Sequence, residues 1–131
     1  MADKKGPLTD KAYREALEKD LKLSRKEGID RAMDKHRLDA LVAPTSGPPG
    51  LIDLANGDYG VNGCSTMPAI AGYPHITVPA GYHFGLPVGI SFFGRAWSEP
   101  TLIRIAYAYE QATKHRRPPR FLPTAVVHPA P

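Results

Sequence analysis

Three side chains in the middle of the sequence could act together in nucleophilic catalysis: Cys64, Ser65 and His75. A thiol becomes a strong nucleophile when a base takes its proton, and a carboxylate can orient that base. His75 and Asp58 are the base and the carboxylate nearest to Cys64 along the chain. A structural interpretation also fits, because an unpaired cysteine is often buried as a small apolar side chain. The pattern favours the structural interpretation and leaves the catalytic one open.

Two loop serines, Ser46 and Ser65, are a second possible source of a nucleophile. A serine needs an activating base within hydrogen-bonding reach, and sequence proximity alone does not provide one. Serines in glycine-rich loops commonly bond to nearby backbone groups. We therefore interpret both as structural, and we keep Ser65 as a candidate nucleophile only in partnership with His75.

The sequence shows no pattern that predicts a metal site or an organic cofactor. One cysteine cannot form a zinc cluster, and the histidines are too scattered for metal-ligand spacing. The segment from Gly85 to Gly89 is too constrained by Pro87 to cradle a phosphate. We expect neither a metal nor a cofactor. The five histidines are His36, His75, His83, His115 and His128, and we expect His36 and His115 in the last turns of helices.

The charge pattern argues against nucleic acids and membranes as partners. The net charge is +4 and the isoelectric point is about 9.3, but acidic residues are interleaved with the basic ones near the N-terminus. That pattern is typical of a solvated helix face. No apolar run approaches the roughly 20 residues that cross a bilayer, and the first residues lack the apolar stretch of a secretory signal. We expect a cytoplasmic protein.

Apolar and small residues spaced three to four apart predict a long N-terminal helix. Thr9 is the expected N-cap, with Leu8 and Tyr13 forming a hydrophobic staple. Gly28 lies on the same stripe, and glycine costs about 1 kcal/mol relative to alanine inside a helix. We therefore expect a kink or close packing at Gly28. The stripe comprises Tyr13, Leu17, Leu21, Ser24, Gly28 and Ala32.

Short apolar runs predict about three strands, at residues 39–43, 76–78 and 88–93. The connection between the last two is compatible with a hairpin, in which Gly81 and Gly85 would occupy turn positions.

Further signals predict a brief helix at residues 68–72 and a last helix that opens at Ser98 and ends by Pro118. Together the elements predict an α/β fold, a small mixed sheet of about three strands packed by the long N-terminal helix and the C-terminal helix. We expect one domain at residues 1–124 and a loose proline-rich tail at 125–131.

Two segments place their glycines and prolines in a very particular order: AGYPHITVPAG at residues 71–81 and GLPVGISFFGR at residues 85–95. Together they resemble the C-terminal part of amidase signature enzymes, which hydrolyse amides with a Lys, Ser, Ser triad. The resemblance covers nearly everything from Leu8 to Thr124. It implies hydrolysis of a carboxylic amide through an acyl-serine intermediate, without metal or organic cofactor.

The same resemblance implies a truncated form. In those enzymes the catalytic lysine and the Gly/Ser-rich segment that carries both serines lie upstream of the matching region, and the sequence contains no counterpart. No lysine lies between Lys35 and Lys114. We therefore expect a chain that is inactive alone or active only with a partner chain.

A long central stretch, from Leu38 to Gly94, contains no lysine or arginine. A surface so poor in charge is hard to keep soluble unless it is covered. We expect the chain to associate with itself, as a homodimer or higher oligomer, or with a chain carrying the missing amidase half. The alternative is that the many glycines here only permit tight internal turns.

Three functional hypotheses follow from the sequence. The first is the C-terminal segment of an amide hydrolase. The second is a non-catalytic, self-associating assembly module. The third is a minimal hydrolase of small esters or amides that uses Cys64 or Ser65 with His75.

Overall fold

A computed structural model describes residues 6–50, 52–57, 60, 62–119 and 121. This part of the chain has the predicted α/β architecture, in which helices pack on both faces of a three-stranded sheet. The helices are α1 (Lys11–Leu21), α2 (Asp30–His36), α3 (Thr66–Ala71) and α4 (Glu99–Thr113), and a π-helical segment (Lys22–Ile29) joins α1 to α2. The strands are β1 (Leu41–Pro44), β2 (His75–His83) and β3 (Leu86–Phe93).

The sheet has the strand order β1-β3-β2, with β3 in the centre. The predicted number of strands is confirmed, but both pairings are antiparallel rather than mixed. A short hairpin connection between β2 and β3 requires this direction. In the register, Phe93 lies opposite Leu41 on one side and His75 on the other. The start of β2 therefore lies beside the end of β3.

The turn between β2 and β3 is shorter than the sequence suggests. Phe84 has a φ of 49° and Gly85 a φ of 78°, and two left-handed residues in succession are what a type I′ hairpin turn requires. Gly81 has a φ of 142° and lies at a bulge inside β2. The predicted turn position is thus confirmed for Gly85 and wrong for Gly81.

The long N-terminal helix changes its winding around Gly28. A Cβ atom at this position would lie 2.7 Å from the carbonyl oxygen of Leu23, one π-helical turn earlier. Only glycine fits there without a shift of the backbone. The predicted close packing at Gly28 is confirmed, and its form is a π-helical segment rather than a bend in a regular helix.

Some predicted helix ends are displaced. The N-cap of α1 is Asp10 rather than Thr9, and α3 begins at Thr66 rather than Pro68. The last helix ends at Thr113, because Lys114 takes a left-handed φ of 49°. The prediction that His115 lies in its last turn is therefore wrong, whereas His36 is indeed the last residue of α2.

Two small apolar cores lie on opposite faces of the sheet, because successive residues of a strand point to opposite sides. Phe93 packs with Ile29 and Met33 from the N-terminal helix, and Ala71 of α3 completes that core. On the other face, the neighbouring residue Phe92 packs against α4. Its buried partners there are Leu102 and Ala106.

The predicted tail at residues 125–131 lies outside the described residues, so the boundary at residue 124 stays a prediction. None of the helices in the described part of the chain is long and apolar enough to span a membrane.

Candidate functional site

Cys64 and His75, eleven residues apart in sequence, meet in the structure. The Cys64 Sγ atom lies 3.6 Å from the His75 Nε2 atom, a distance at which sulfur takes part in a weak hydrogen bond. Both residues are half-buried. The sequence-based pairing of a thiol with an imidazole is therefore geometrically possible.

Backbone pairing holds this thiol in place. The N–H group of Cys64 donates to the carbonyl oxygen of Thr45 at 3.2 Å, just beyond the end of β1. Ser46 and Gly63 form a β-bridge beside it. His75 is the first residue of β2, where the strand ladder fixes its backbone. The pair is thus held between two ordered segments of the sheet.

The other residues of the predicted site are placed differently. Ser65 is exposed, and its side chain does not cap α3. Asp58 lies outside the described residues. Phe93 is an aromatic neighbour of His75, with its ring centre 6.1 Å from that of the imidazole. Among the described residues, the structure brings Cys64 and His75 together, and this pair packs against the core around Phe93.

A row of hydroxyl groups crosses the same face of the sheet. Ser91 of β3 has no exposed surface, and its Oγ atom lies 2.8 Å from Thr45 Oγ1 and 2.9 Å from Thr77 Oγ1. A buried hydroxyl needs such partners, because leaving it unpaired costs free energy. This row was not predicted from the sequence. The available signal was a lone serine within the apolar run of β3.

A groove of about 490 Å³ opens beside the hydroxyl row. Gly89 is one of its lining residues, and a Cβ atom there would lie 2.7 Å from Thr45 Oγ1 and 2.9 Å from Thr77 Cγ2. The groove has the size typical of small-molecule sites, and none of the described residues that line it is charged. Its lining comprises Thr45, Ser46, Gly47, Pro49, Thr77, Val78, Pro79, Pro87, Val88 and Gly89.

A polar network fixes the other end of α3. Arg25, from the π-helical segment, donates from Nε to the Ala71 carbonyl oxygen at 2.7 Å and stacks over the ring of Tyr73. The Tyr73 hydroxyl donates to Asp30 at 2.9 Å. Burial, and secondarily the hydrogen bond to Asp30, raise the pKa of Tyr73 above its ordinary value. Arg25 therefore ties the π-helical segment to the C-terminal end of α3.

No three His, Cys, Asp or Glu side chains within the described ranges come together in a way that could hold a metal ion.

Comparison with known proteins assigns the family. The amidase family model matches residues 3–103 of the chain, and this chain therefore belongs to the amidase family. A probable amidase of Arabidopsis thaliana is 46% identical over 108 residues, which are 82% of this chain and 18% of that protein. A putative amidase of Arthroderma benhamiae is 35% identical over 126 residues, covering 84% of this chain and 18% of that protein.

Solved structures support the same assignment. A peptide amidase in complex with the inhibitor chymostatin superposes with a TM-score of 0.87 at 51% identity, covering 92% of this chain and 24% of that protein. The native peptide amidase of Stenotrophomonas maltophilia gives a TM-score of 0.79 at 49% identity with the same coverage. The chain thus spans about a quarter of the structures that it matches. The predicted resemblance to amidase signature enzymes is confirmed.

Proposed function

We propose that this chain works as the C-terminal segment of an amide hydrolase and takes part in amide cleavage only together with the rest of an amidase fold. The observation that carries the proposal is the match to peptide amidases at 49 to 51% identity over 92% of this chain but 24% of theirs. In this role the segment contributes its sheet, its flanking helices and one wall of a substrate groove.

The surroundings of the serine hydroxyl groups favour a role that depends on groups from outside this segment. The Ser91 hydroxyl is engaged in hydrogen bonds with Thr45 and Thr77, and no lysine occurs between Lys35 and Lys114. A serine without an adjacent base is a weak nucleophile, and acyl transfer also needs donors for the developing oxyanion. We therefore assign turnover to groups supplied from outside this segment.

Exposed apolar side chains favour the interpretation that a large surface of a partner packs against this chain. Every residue of α1 is described and none is buried, and Tyr13 and Leu17 lie on one side of it at a spacing of four residues. Ile103 and Tyr107 repeat this spacing on α4, and both are more than half exposed. Val42, in the edge strand β1, is 58% exposed. The remainder of an amidase fold would cover these surfaces; a second copy of this chain is the alternative.

The groove favours an uncharged ligand segment. Among the described residues, its lining carries hydroxyl, proline and valine side chains and no ionisable group. The solved relatives at 49 to 51% identity are peptide amidases. We therefore propose a peptide amide as the substrate class.

A chimera tests the proposal. The matching quarter of the Stenotrophomonas maltophilia peptide amidase is replaced by this chain, and ammonia release from a peptide amide is measured. We expect the chimera to hydrolyse the substrate. A folded chimera without activity, beside an active parent enzyme, would contradict the proposal.

Two matched substitutions in the chimera test the groove. Gly89→Val places methyl groups into the contacts with Thr45 and Thr77, and we expect it to remove most of the activity. Gly50→Val is the control, because no described atom lies within 4 Å of a Cβ at that position. Equal activities of the two variants would show that the groove is not used.

Light scattering distinguishes the two possible partners. We expect the isolated chain to form dimers or larger assemblies, since its apolar surfaces have no other cover, and we expect the chimera to lose this association. A mass near 14.3 kDa for the isolated chain at micromolar concentration would contradict this expectation.

A further inference from the structure

The first helix carries an apolar stripe that the described part of the chain does not bury. Tyr13 and Leu17 are both 42% exposed, and Leu21, one turn further on, is half-buried. Residues at a spacing of four lie on one side of a helix. A helix gains most of its stability by packing such a stripe against other elements. Within one copy of the chain α1 lacks this packing, because none of its residues is buried.

The neighbouring helix α3 enlarges this apolar surface. It lies against α1 and the π-helical segment, and its Met67 and Ile70 side chains are 52% and 48% exposed. A specific interface buries about 1,200 Å² or more in total, and the residues of α3 extend the stripe toward that area. We call the combined surface the α1–α3 face. It comprises Tyr13, Leu17, Leu21, Met67 and Ile70.

Charged residues border the stripe in a self-complementary order. Arg14 and Glu18 each directly follow a residue of the stripe, so both lie along the same border of the helix. Among the described residues, neither makes an ion pair within its own chain. When a two-fold axis relates two antiparallel helices, the same border of each helix faces its counterpart. Arg14 of one copy then lies opposite Glu18 of the other, and the symmetry forms this contact twice.

The exposed side of α4 has no such order of charges. Ile103 and Tyr107 also lie four residues apart, and both are more than half exposed. The residues that follow them are Arg104 and Ala108. The border of α4 that Arg104 occupies therefore has no acidic counterpart at the same spacing. Of the two exposed helix faces, the one on α1 is the better match for a second copy of itself.

We propose that the isolated chain forms an antiparallel two-fold dimer in which the α1–α3 faces of two copies pack on each other. Leu17 of each copy lies near the axis, and Tyr13 of each lies beside Leu21 of the other. This dimer concerns the chain without the rest of an amidase fold, so it does not depend on the hydrolytic function proposed above. The chimera tests that function separately.

Sedimentation equilibrium of the isolated chain tests the interface. We expect the wild type to have twice the chain mass of 14.3 kDa at micromolar concentration. Leu17→Glu places two carboxylates near the axis, and we expect it to weaken dimerisation at least about a hundredfold. Ile103→Glu on α4 is the matched control, and we expect it to leave the dimer unchanged. A monomeric wild type, or a dimer that Ile103→Glu dissociates and Leu17→Glu does not, would overturn the proposal.

A charge exchange tests the antiparallel arrangement. Arg14→Glu turns two attractions into two repulsions, and we expect it to weaken the dimer about tenfold. Lys19→Glu is the control, because it makes the same change of charge two residues after Leu17, on the side of α1 that points away. Adding Glu18→Arg to Arg14→Glu should restore the affinity of the wild type. A folded Arg14→Glu protein that dimerises like the wild type, or a double variant no tighter than Arg14→Glu, would overturn the arrangement. If Leu17→Glu does not fold by circular dichroism, this exchange decides the question alone.

Discussion

Because Gly28 lies in a π-helical segment, we expect its replacement by alanine to destabilise the fold, whereas helix propensity alone predicts a gain in stability. In a regular helix, replacing glycine by alanine stabilises the folded state by about 1 kcal/mol. Here the new Cβ atom would lie 2.7 Å from the Leu23 carbonyl oxygen, a backbone atom that cannot rotate away. The substitution must therefore either rewind Lys22–Ile29 or strain it.

The magnitude follows from the two opposing effects. Forcing a methyl group into a closely packed position typically costs about 1 to 3 kcal/mol, and the propensity gain offsets about 1 kcal/mol of that. We expect Gly28→Ala to destabilise the fold by about 1 kcal/mol. For a domain of this size, that corresponds to a melting temperature lower by about 4 °C.

Thermal unfolding followed by circular dichroism measures this effect. Gly50→Ala is the control, and we expect it to change stability by less than about 1 kcal/mol, since nothing described lies near its Cβ position. A higher melting temperature for Gly28→Ala, with the control unchanged, would mean that the helix is regular at Gly28 and would contradict the π-helical geometry.

Three further predictions concern local features. Phe84→Asn should raise the urea midpoint, with a gain of about 1 kcal/mol in the free energy of unfolding, because asparagine tolerates the left-handed φ of 49° better than phenylalanine; an unchanged midpoint would contradict the turn geometry. Ser91→Ala should destabilise the folded protein by about 1 to 3 kcal/mol, since Thr45 and Thr77 lose their shared hydrogen-bond partner. A urea midpoint equal to that of the wild type would contradict the hydroxyl row. Because the pKa of Tyr73 is raised, the folded state holds the phenol proton at higher pH than the unfolded state does. The contribution of this proton to the free energy of unfolding is therefore complete below about pH 10 and is lost above it. Wild type should therefore lose more stability than Tyr73→Phe between about pH 9 and pH 11, and equal losses would show that Tyr73 does not contribute.

Features with local causes could be predicted from the sequence. Gly85 marks the hairpin, because only a short list of residues fits a turn with positive φ. Ser98 and Pro100 mark the start of α4: Ser98 is the N-cap position, although its hydroxyl donates to the Arg95 carbonyl oxygen and not to the helix, and Pro100 lies where its missing N–H group costs nothing. Gly28 also signalled its unusual position in the first helix. In each case the determining contacts lie within a few residues along the chain.

Features that depend on register could not be predicted in this way. The hydroxyl row joins Thr45, Thr77 and Ser91, and only the pairing of β3 with its neighbours brings these three together. The antiparallel direction of β1 against β3 likewise follows from long-range packing. The sequence suggested His75 as a base for Cys64 from proximity along the chain, but the 3.6 Å separation depends on how the loop before α3 folds back onto β1.

The dependence of this segment on the rest of an amidase fold is tested most directly by peptide amide hydrolysis with the purified 131-residue chain alone. We expect ammonia release no faster than in a blank without protein, because the proposed function assigns the triad groups and the oxyanion donors to the rest of an amidase fold. Cys64→Ala, Ser65→Ala and His75→Ala accompany the wild type. Substantial turnover that any one of these substitutions removes, with the circular dichroism spectrum intact, would contradict the proposed dependence and establish the chain as a minimal hydrolase.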